Sequence, residues 1–252
     1  MIGIIKKHPA VSITAVTIGA VCAAAALLFY KQLIKVNTPS VEEYPVRGVD
    51  VSSYQGDIDW DVLSDGLDFA YIKATEGSKH LDGCFEYNYS EAQKRGLRVG
   101  AYHFFSFDSD GDTQAENFIS HVKAYDGMLP PVVDVEFYNG YRKDPKPAEE
   151  VVPQLERLLS DLEAEYGVKP VIYATGAAYD SYIKDNFADH DIWIRDVYFT
   201  PDSGWTFWQH SGTGRLDGYN GEEKYIDLNV FCGSREDFQH YGLCNSDSSD
   251  HD

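Results

Sequence analysis

Four acidic residues stand in short runs that alternate apolar and polar positions: Asp50 in Val46 to Val51, Asp134 and Glu136 in Val132 to Glu136, and Asp227 in Tyr225 to Val230. Asp134 and Glu136 are two positions apart. On a strand rising roughly 3.3 Å per residue, their side chains leave the same face with backbones about 6.7 Å apart. Glycosidic hydrolysis needs such a grouping. One protonated carboxyl donates to the leaving oxygen, and nearby negative charge stabilises an oxocarbenium-like centre. Crowded like charges raise one pKa toward the working range of an acid. Any one of these acids is explained equally well as a cap on the following helix, so the inference rests on the four together.

Aromatic residues accompany the acids: Tyr54, Tyr102, Phe104, Tyr173, Trp193 and Trp208. Flat rings stack on sugars, and tyrosine adds a polar handle; singly, each is as readily a core residue. Two other chemistries stay open. His103 with Asp134 and Glu136 is a candidate metal set for a hydrolase or deacetylase. A barrel that binds glycan without cleaving it is the other.

The elements that must position these groups follow from periodicity. Strand-like runs at Val46 to Val51, Phe69 to Ala74, Val99 to Phe105, Val132 to Glu136 and Val171 to Ala174 alternate with amphipathic stretches at Glu86 to Arg95, Thr113 to Tyr125 and Ala148 to Tyr166. Gly96, Gly127 and Gly167 follow the three helices as stops. After a helix at Ala177 to Phe187 come three more strands, Ile192 to Arg195, Thr206 to His210 and Tyr225 to Val230, with little helix potential between them. Repeated strand–helix–strand units imply a parallel sheet with right-handed crossovers. Eight strands in about 200 residues favour a closed α/β barrel, whose active site lies at the C-terminal strand ends. Closure makes the first and last strands neighbours and brings Asp50 beside Asp227.

The chain has 252 residues and a net charge of −20, and its acidic excess disfavours nucleic acid as a partner. No acidic residue precedes Glu42, while Lys6, Lys7, Lys31 and Lys35 all do. Between the lysine pairs, Ala10 to Tyr30 carries no charge; as a helix at roughly 1.5 Å per residue it reaches across a bilayer core of about 30 Å. The expected organisation is a short cytoplasmic N-terminus (1–9), a transmembrane signal-anchor (10–30), a linker (31–44), a catalytic barrel (45–243) and an acidic disordered tail (244–252). The domain is then extracytoplasmic on a single-pass membrane protein, or secreted if the apolar run is a cleaved signal. Four cysteines are too few for a disulfide scaffold; Cys232 and Cys244 are one candidate pair. No cofactor, metal or obligate protein partner is implied.

Several strings then resemble glycoside hydrolase family 25, the lysozymes that act as N-acetylmuramidases. They are Gly48-Val49-Asp50-Val51-Ser52-Ser53-Tyr54-Gln55-Gly56, Ile72-Lys73-Ala74-Thr75-Glu76-Gly77 and Val99-Gly100-Ala101-Tyr102-His103-Phe104. Val133-Asp134-Val135-Glu136, Ile172-Tyr173-Ala174, Trp208-Gln209 and Ile226-Asp227-Leu228-Asn229-Val230-Phe231 follow in the family's order. The resemblance implies an irregular TIM-like barrel of five β/α units and three further strands, cutting between N-acetylmuramic acid and N-acetylglucosamine in peptidoglycan. It implies Glu136 as general acid and Asp134 as its partner, with Asp50 and Asp227 completing the acidic cleft. Tyr54, Lys73, Glu76, Tyr102, Tyr173, Trp193, Trp208 and Gln209 become substrate contacts or supports. The paired acids also resemble those of substrate-assisted chitinases, so a retaining reaction with the substrate's 2-acetamido oxygen as nucleophile is expected. The sequence departs from the family pattern at Ile194-Arg195-Asp196 and at His210.

Overall fold

A computed structural model of the chain describes residues 9–243 except 36 and 203, with the side chains of 9–15 also outside the description. The expected tail at 244–252, the N-terminus at 1–8 and Cys244 of the candidate disulfide lie outside the described residues.

The strands are β1 (Arg47–Val51), β2 (Phe69–Glu76), β3 (His80–Leu81), β4 (Arg98–Phe104), β5 (Val132–Val135), β6 (Val171–Thr175), β7 (Ile192–Arg195), β8 (Phe207–Gly214) and β9 (Ile226–Phe231). The helices are α1 (Pro9–Tyr30), α2 (Trp60–Leu63), α3 (Phe85–Lys94), α4 (Gly111–His121), α5 (Ala148–Tyr166), α6 (Gly176–Ala178) and α7 (Arg235–His240). Neighbouring strands run in the order β1-β9-β8-β7-β6-β5-β4-β2, and a β1–β2 pairing closes the ring; β3 adds only a short antiparallel edge to β2. All pairings among β1, β2 and β4 to β8 are parallel, as expected.

The last strand differs from expectation. β9 runs antiparallel to both β8 and β1, so Asp227 lies at its beginning and not at its C-terminal end. Reversing the strand leaves Asp227 on the same rim, opposite Asp50 in the β1–β9 register. The first crossover is also slighter than a full β/α unit: it holds a three-residue 3-10 turn at Ser53–Gln55 and the four-residue α2. Helix α4 ends four residues before the expected Tyr125. That residue's hydroxyl is occupied with β4, donating to the Val99 carbonyl at 2.9 Å.

Two cores follow from the strand alternation. Inward residues Phe69, Tyr71, Val132, Val171, Trp193, Phe207 and Phe231 fill the barrel. Outward ones such as Ala70, Ile72, Val99, Val133 and Ile172 pack under the helices. Helix α5 contributes Val151, Leu155, Leu158, Leu159 and Leu162, spaced three and four apart on one stripe, and stops at Gly167 in the left-handed conformation with φ 69°. Inside the barrel, large rings face glycines on the adjoining strand: Phe69 is paired with Gly48 and Tyr71 with Gly100. A Cβ at Gly100 would lie 2.2 Å from the Tyr71 ring.

The segment 31–44 is not a free tether. Helix α1 ends where Gln32 adopts φ 55°. The chain then lies along β8 and the loop after β7: Lys35 Nζ donates to Ser211 Oγ at 2.6 Å, and Asn37 Nδ2 donates to the Asp196 carbonyl at 3.2 Å. Phe29 packs on Tyr198 and Phe199, with ring centroids 5.3 and 5.9 Å apart. The sequence pattern missed this because buried Asn37 and Pro39 lie in a polar-looking stretch with no period. The expected membrane span at 10–30 is not found: among the described residues, no helix is long and apolar enough to cross a membrane. Part of that segment, the side chains of 10–15, lies outside the description.

Candidate active site

Along each strand, every second residue faces the barrel axis, so the layer above the aromatic floor is set by residues two positions further on. Above Gly48 comes Asp50; above Tyr71, Lys73; above Gly100, Tyr102; above Val132, Asp134 and then Glu136; above Trp193, Arg195; above Phe207, Gln209. Antiparallel β9 supplies Asp227 at the top, Asn229 below it and Phe231 in the floor. Apolar floor and polar rim are thus one alternation read at two heights. The rim opens into a cleft of about 720 Å³ lined by all four acids.

The acids differ in their surroundings. Asp50 Oδ1 accepts from Asn229 Nδ2 at 2.7 Å and from Gln209 Nε2 at 3.0 Å. Those amides are themselves fixed: Trp193 Nε1 donates to Asn229 Oδ1 at 3.0 Å, and the Tyr173 hydroxyl donates to Gln209 Oε1 at 3.0 Å. Burial pushes the Asp50 pKa up, while these donors and the nearby Arg195 pull it down. Asp227 is pushed well above the ordinary carboxylate range by burial and then by the charge of Asp50. The pair therefore favours a proton on Asp227 and a charge on Asp50.

Asp134 is 8% exposed, and its Oδ1 is the buried carboxylate oxygen of the cleft with no hydrogen-bond partner. Burial and then the charge of Glu136 raise its pKa well above the ordinary value, against the opposing pull of Lys73. Burial also raises Glu136, which Arg195 and Arg142 partly restrain. A raised glutamic acid opening into a cleft is suited to donate a proton near neutral pH. An orphaned acceptor one strand step below it is suited to take an N–H from a ligand.

Most of the expected contacts meet here: Tyr54, Lys73, Tyr102, Tyr173, Trp193 and Gln209 line the same cleft as the acids. Tyr54, 63% exposed on the turn after β1, is the ring free to stack on a sugar. Three expectations change. Trp208 points out of the barrel, because it alternates with inward Gln209; its indole donates to the Asp196 carbonyl at 2.8 Å, and its ring meets Tyr44 and Trp205. Glu76 lies outside the cleft lining and instead holds the Lys73 ammonium at 2.7 Å. Trp193 belongs to the floor and is 2% exposed, so it supports Asn229 rather than offering a face for stacking.

The metal alternative loses its histidine. His103 alternates with Tyr102 and faces the helices, fully buried between Thr75 Oγ1 at 2.7 Å and Gln114 Oε1 at 3.1 Å. Burial lowers its pKa to about 4. The residues missed from sequence are Arg195, Arg142 and Asn229. The signal for Asn229 was its position two after Asp227, the same same-face spacing that tied Glu136 to Asp134.

Comparison with known proteins gives the same answer. The profile of Glycosyl hydrolases family 25 matches residues 49–219. The chain is 51% identical to a family 25 glycosyl hydrolase from Bacillus anthracis of known structure, with a TM-score of 0.77 over 82% of this chain and 98% of that one. A bacterial lysozyme structure from Streptomyces coelicolor aligns at 32% identity and a TM-score of 0.69, covering 78% and 96% of the two chains. Lysozyme M1 of Streptomyces globisporus is 35% identical over 210 residues, 75% of this chain and 68% of its own. With the four acids on one rim of a closed barrel and a profile match over most of that barrel, the chain belongs to glycosyl hydrolase family 25.

Proposed function

We propose that the protein is an N-acetylmuramidase that cleaves the β-1,4 bond between N-acetylmuramic acid and N-acetylglucosamine in peptidoglycan. The observation that carries this reading is the pairing of a raised, cleft-facing Glu136 with an unpartnered Asp134 oxygen beneath it. Its test is digestion of purified peptidoglycan followed by borohydride reduction and mass spectrometry. New muramitol ends are expected; glucosaminitol ends would contradict it.

In the proposed reaction, the Glu136 proton passes to the glycosidic oxygen as the C1–O bond breaks. The substrate's acetamido oxygen closes on C1, giving an oxazolinium ion and a retained anomer after water adds and returns a proton to Glu136. Asp134 accepts the acetamido N–H through its free oxygen, and Lys73 pulls it toward the ionised form that stabilises the cation, against burial and the charge of Glu136. Equal rates on N-acetylated and de-N-acetylated glycans, or an inverted first product by NMR, would refute this route while leaving the muramidase reading intact.

Although no described helix is by itself long and apolar enough to cross a membrane, the whole uncharged segment from Ala10 to Tyr30 is read as a membrane anchor with its N-terminus in the cytoplasm and the barrel on the peptidoglycan side. What supports it is a helix with apolar Val16, Ile18, Val21 and Leu27 all exposed to the surroundings rather than packed on the barrel. Protease added to intact, wall-stripped cells should digest the barrel; full protection would reverse the topology.

A further inference from the structure

The charge of Arg195 favours the ionised forms of Asp50, Glu136 and Asp227, yet no described residue holds its guanidinium directly. The two other cations of the cleft are engaged: Lys73 by Glu76 at 2.7 Å, and Arg142 through Nε on the Phe137 carbonyl at 3.0 Å. Among the described residues, no carboxylate lies within ion-pair distance of the Arg195 guanidinium and no hydrogen bond occupies it. The side chain is nevertheless firmly placed. Its backbone is held in register between Thr175 and Gln209, and inward alternation from Trp193 aims it into the cleft. It lies beside Asp227 over a bare glycine: a methyl at Gly212 would sit 3.2 Å from Asp227 Oδ1 and 3.4 Å from Arg195 Nη2. The glycine thus lets both groups lie close against the backbone, where a side chain would crowd them.

A guanidinium with no direct ion pair in a partly desolvated cleft is a receptor for a planar anion, which it can hold through two parallel hydrogen bonds. The ionised acids of the cleft would repel any anionic ligand unless a cation met it. Muramic acid differs from glucosamine by a lactyl arm that ends in a carboxyl group, so the substrate of the proposed reaction carries the complementary charge beside its ring. We propose that Arg195 is a specificity residue that receives a carboxylate on this lactyl arm. The carboxylate is the arm's own acid in peptide-free strands or that of an attached stem peptide. The inference rests on the muramidase reading and adds a preference between substrates to it.

The test compares wild type, Arg195→Gln and Arg195→Lys on three purified glycans: peptide-free strands with free lactyl acids, the same strands with those acids converted to methyl amides, and strands bearing stem peptides. Arg195→Gln should raise KM on the free-acid strands by at least about tenfold more than on the methyl-amide strands, the scale of a hydrogen bond to a charged group, while any kcat change transmitted through Glu136 falls equally on both. On the methyl-amide strands KM should rise far less, and Arg195→Lys should recover part of the difference between the two. A KM rise on the peptide-bearing strands alone places the recognised carboxylate on the stem peptide; a rise on the free-acid strands alone places it on the lactyl group. Equal effects of Arg195→Gln on acid and amide strands, or a loss confined to kcat on both, would overturn the proposal and leave Arg195 a positioning residue. Wild-type cleavage that yields only glucosaminitol ends after reduction would overturn both this inference and the reading beneath it.

Discussion

The two carboxyl pairs in the cleft obtain different proton affinities from the same burial. Asp50 is held by two fixed amides, whereas Asp227 beside it has the charge of Asp50 to contend with. The consequence for stability has a definite sign. A carboxyl whose folded pKa is raised contributes stability that is fully present below its unfolded value, about 3.9 for aspartate, and is lost as pH rises through the folded value. Asp227→Asn should therefore raise the melting temperature at pH 7, by about 2–4 °C for each kcal/mol gained in a domain of this size, with the gap closing near pH 3.5. Calorimetry across that range checks it; an unchanged or lower melting temperature at pH 7 would show that burial of Asp227 carries no such cost. At this scale the sequence was a good guide to the acids, because same-face spacing is a property of any strand. It was poor for Trp208 and Glu76. Whether Trp208 faces in or out depends on the phase of β8, and Glu76 lies beyond the β-bulge that shifts the β2–β4 register between Lys73 and Thr75.

At the scale of elements, the barrel is built from strands whose lower inward positions are aromatic and whose upper ones are polar. The aromatic floor depends on small partners. Gly100 faces Tyr71, and a Cβ there would overlap the ring. Gly100→Ala should destabilise the fold by about 1–3 kcal/mol, the usual range for overpacking a filled core. Urea unfolding measures this directly; a cost below about 0.5 kcal/mol would show that the Tyr71 ring has room to move away. All eight barrel strands were legible from alternation and spacing, and the stripe on α5 from its three-and-four repeat. The direction of β9 was not. A run of six alternating residues reads the same in either sense, and the loop from residue 215 to 225 that permits reversal carries no helix signal to count for or against a crossover.

For the molecule as a whole, the chain from α1 to the barrel forms part of one packed body. Lys35 and Asn37 dock on β8 and the loop after β7, and Phe29 joins Tyr198 and Phe199. Trypsin should therefore cut slowly at Lys35 in the folded protein, and Asn37→Ala should speed that cut at least severalfold; rapid release of a fragment beginning at residue 36 from the wild type would restore the picture of a loose tether. The docked segment also reaches the cleft wall, since Gln32 accepts a hydrogen bond from Gly212 N at 3.4 Å and Gly212 lines the cleft. All of this architecture converges on a single proton donor at the rim. The most direct test of the account is the rate of cell-wall lysis by Glu136→Gln, with circular dichroism confirming the fold. The amide has the shape of the acid but no proton to give, so the account predicts a loss of about 10²–10⁴-fold with an unchanged spectrum. A folded variant retaining activity within about tenfold of wild type would contradict it.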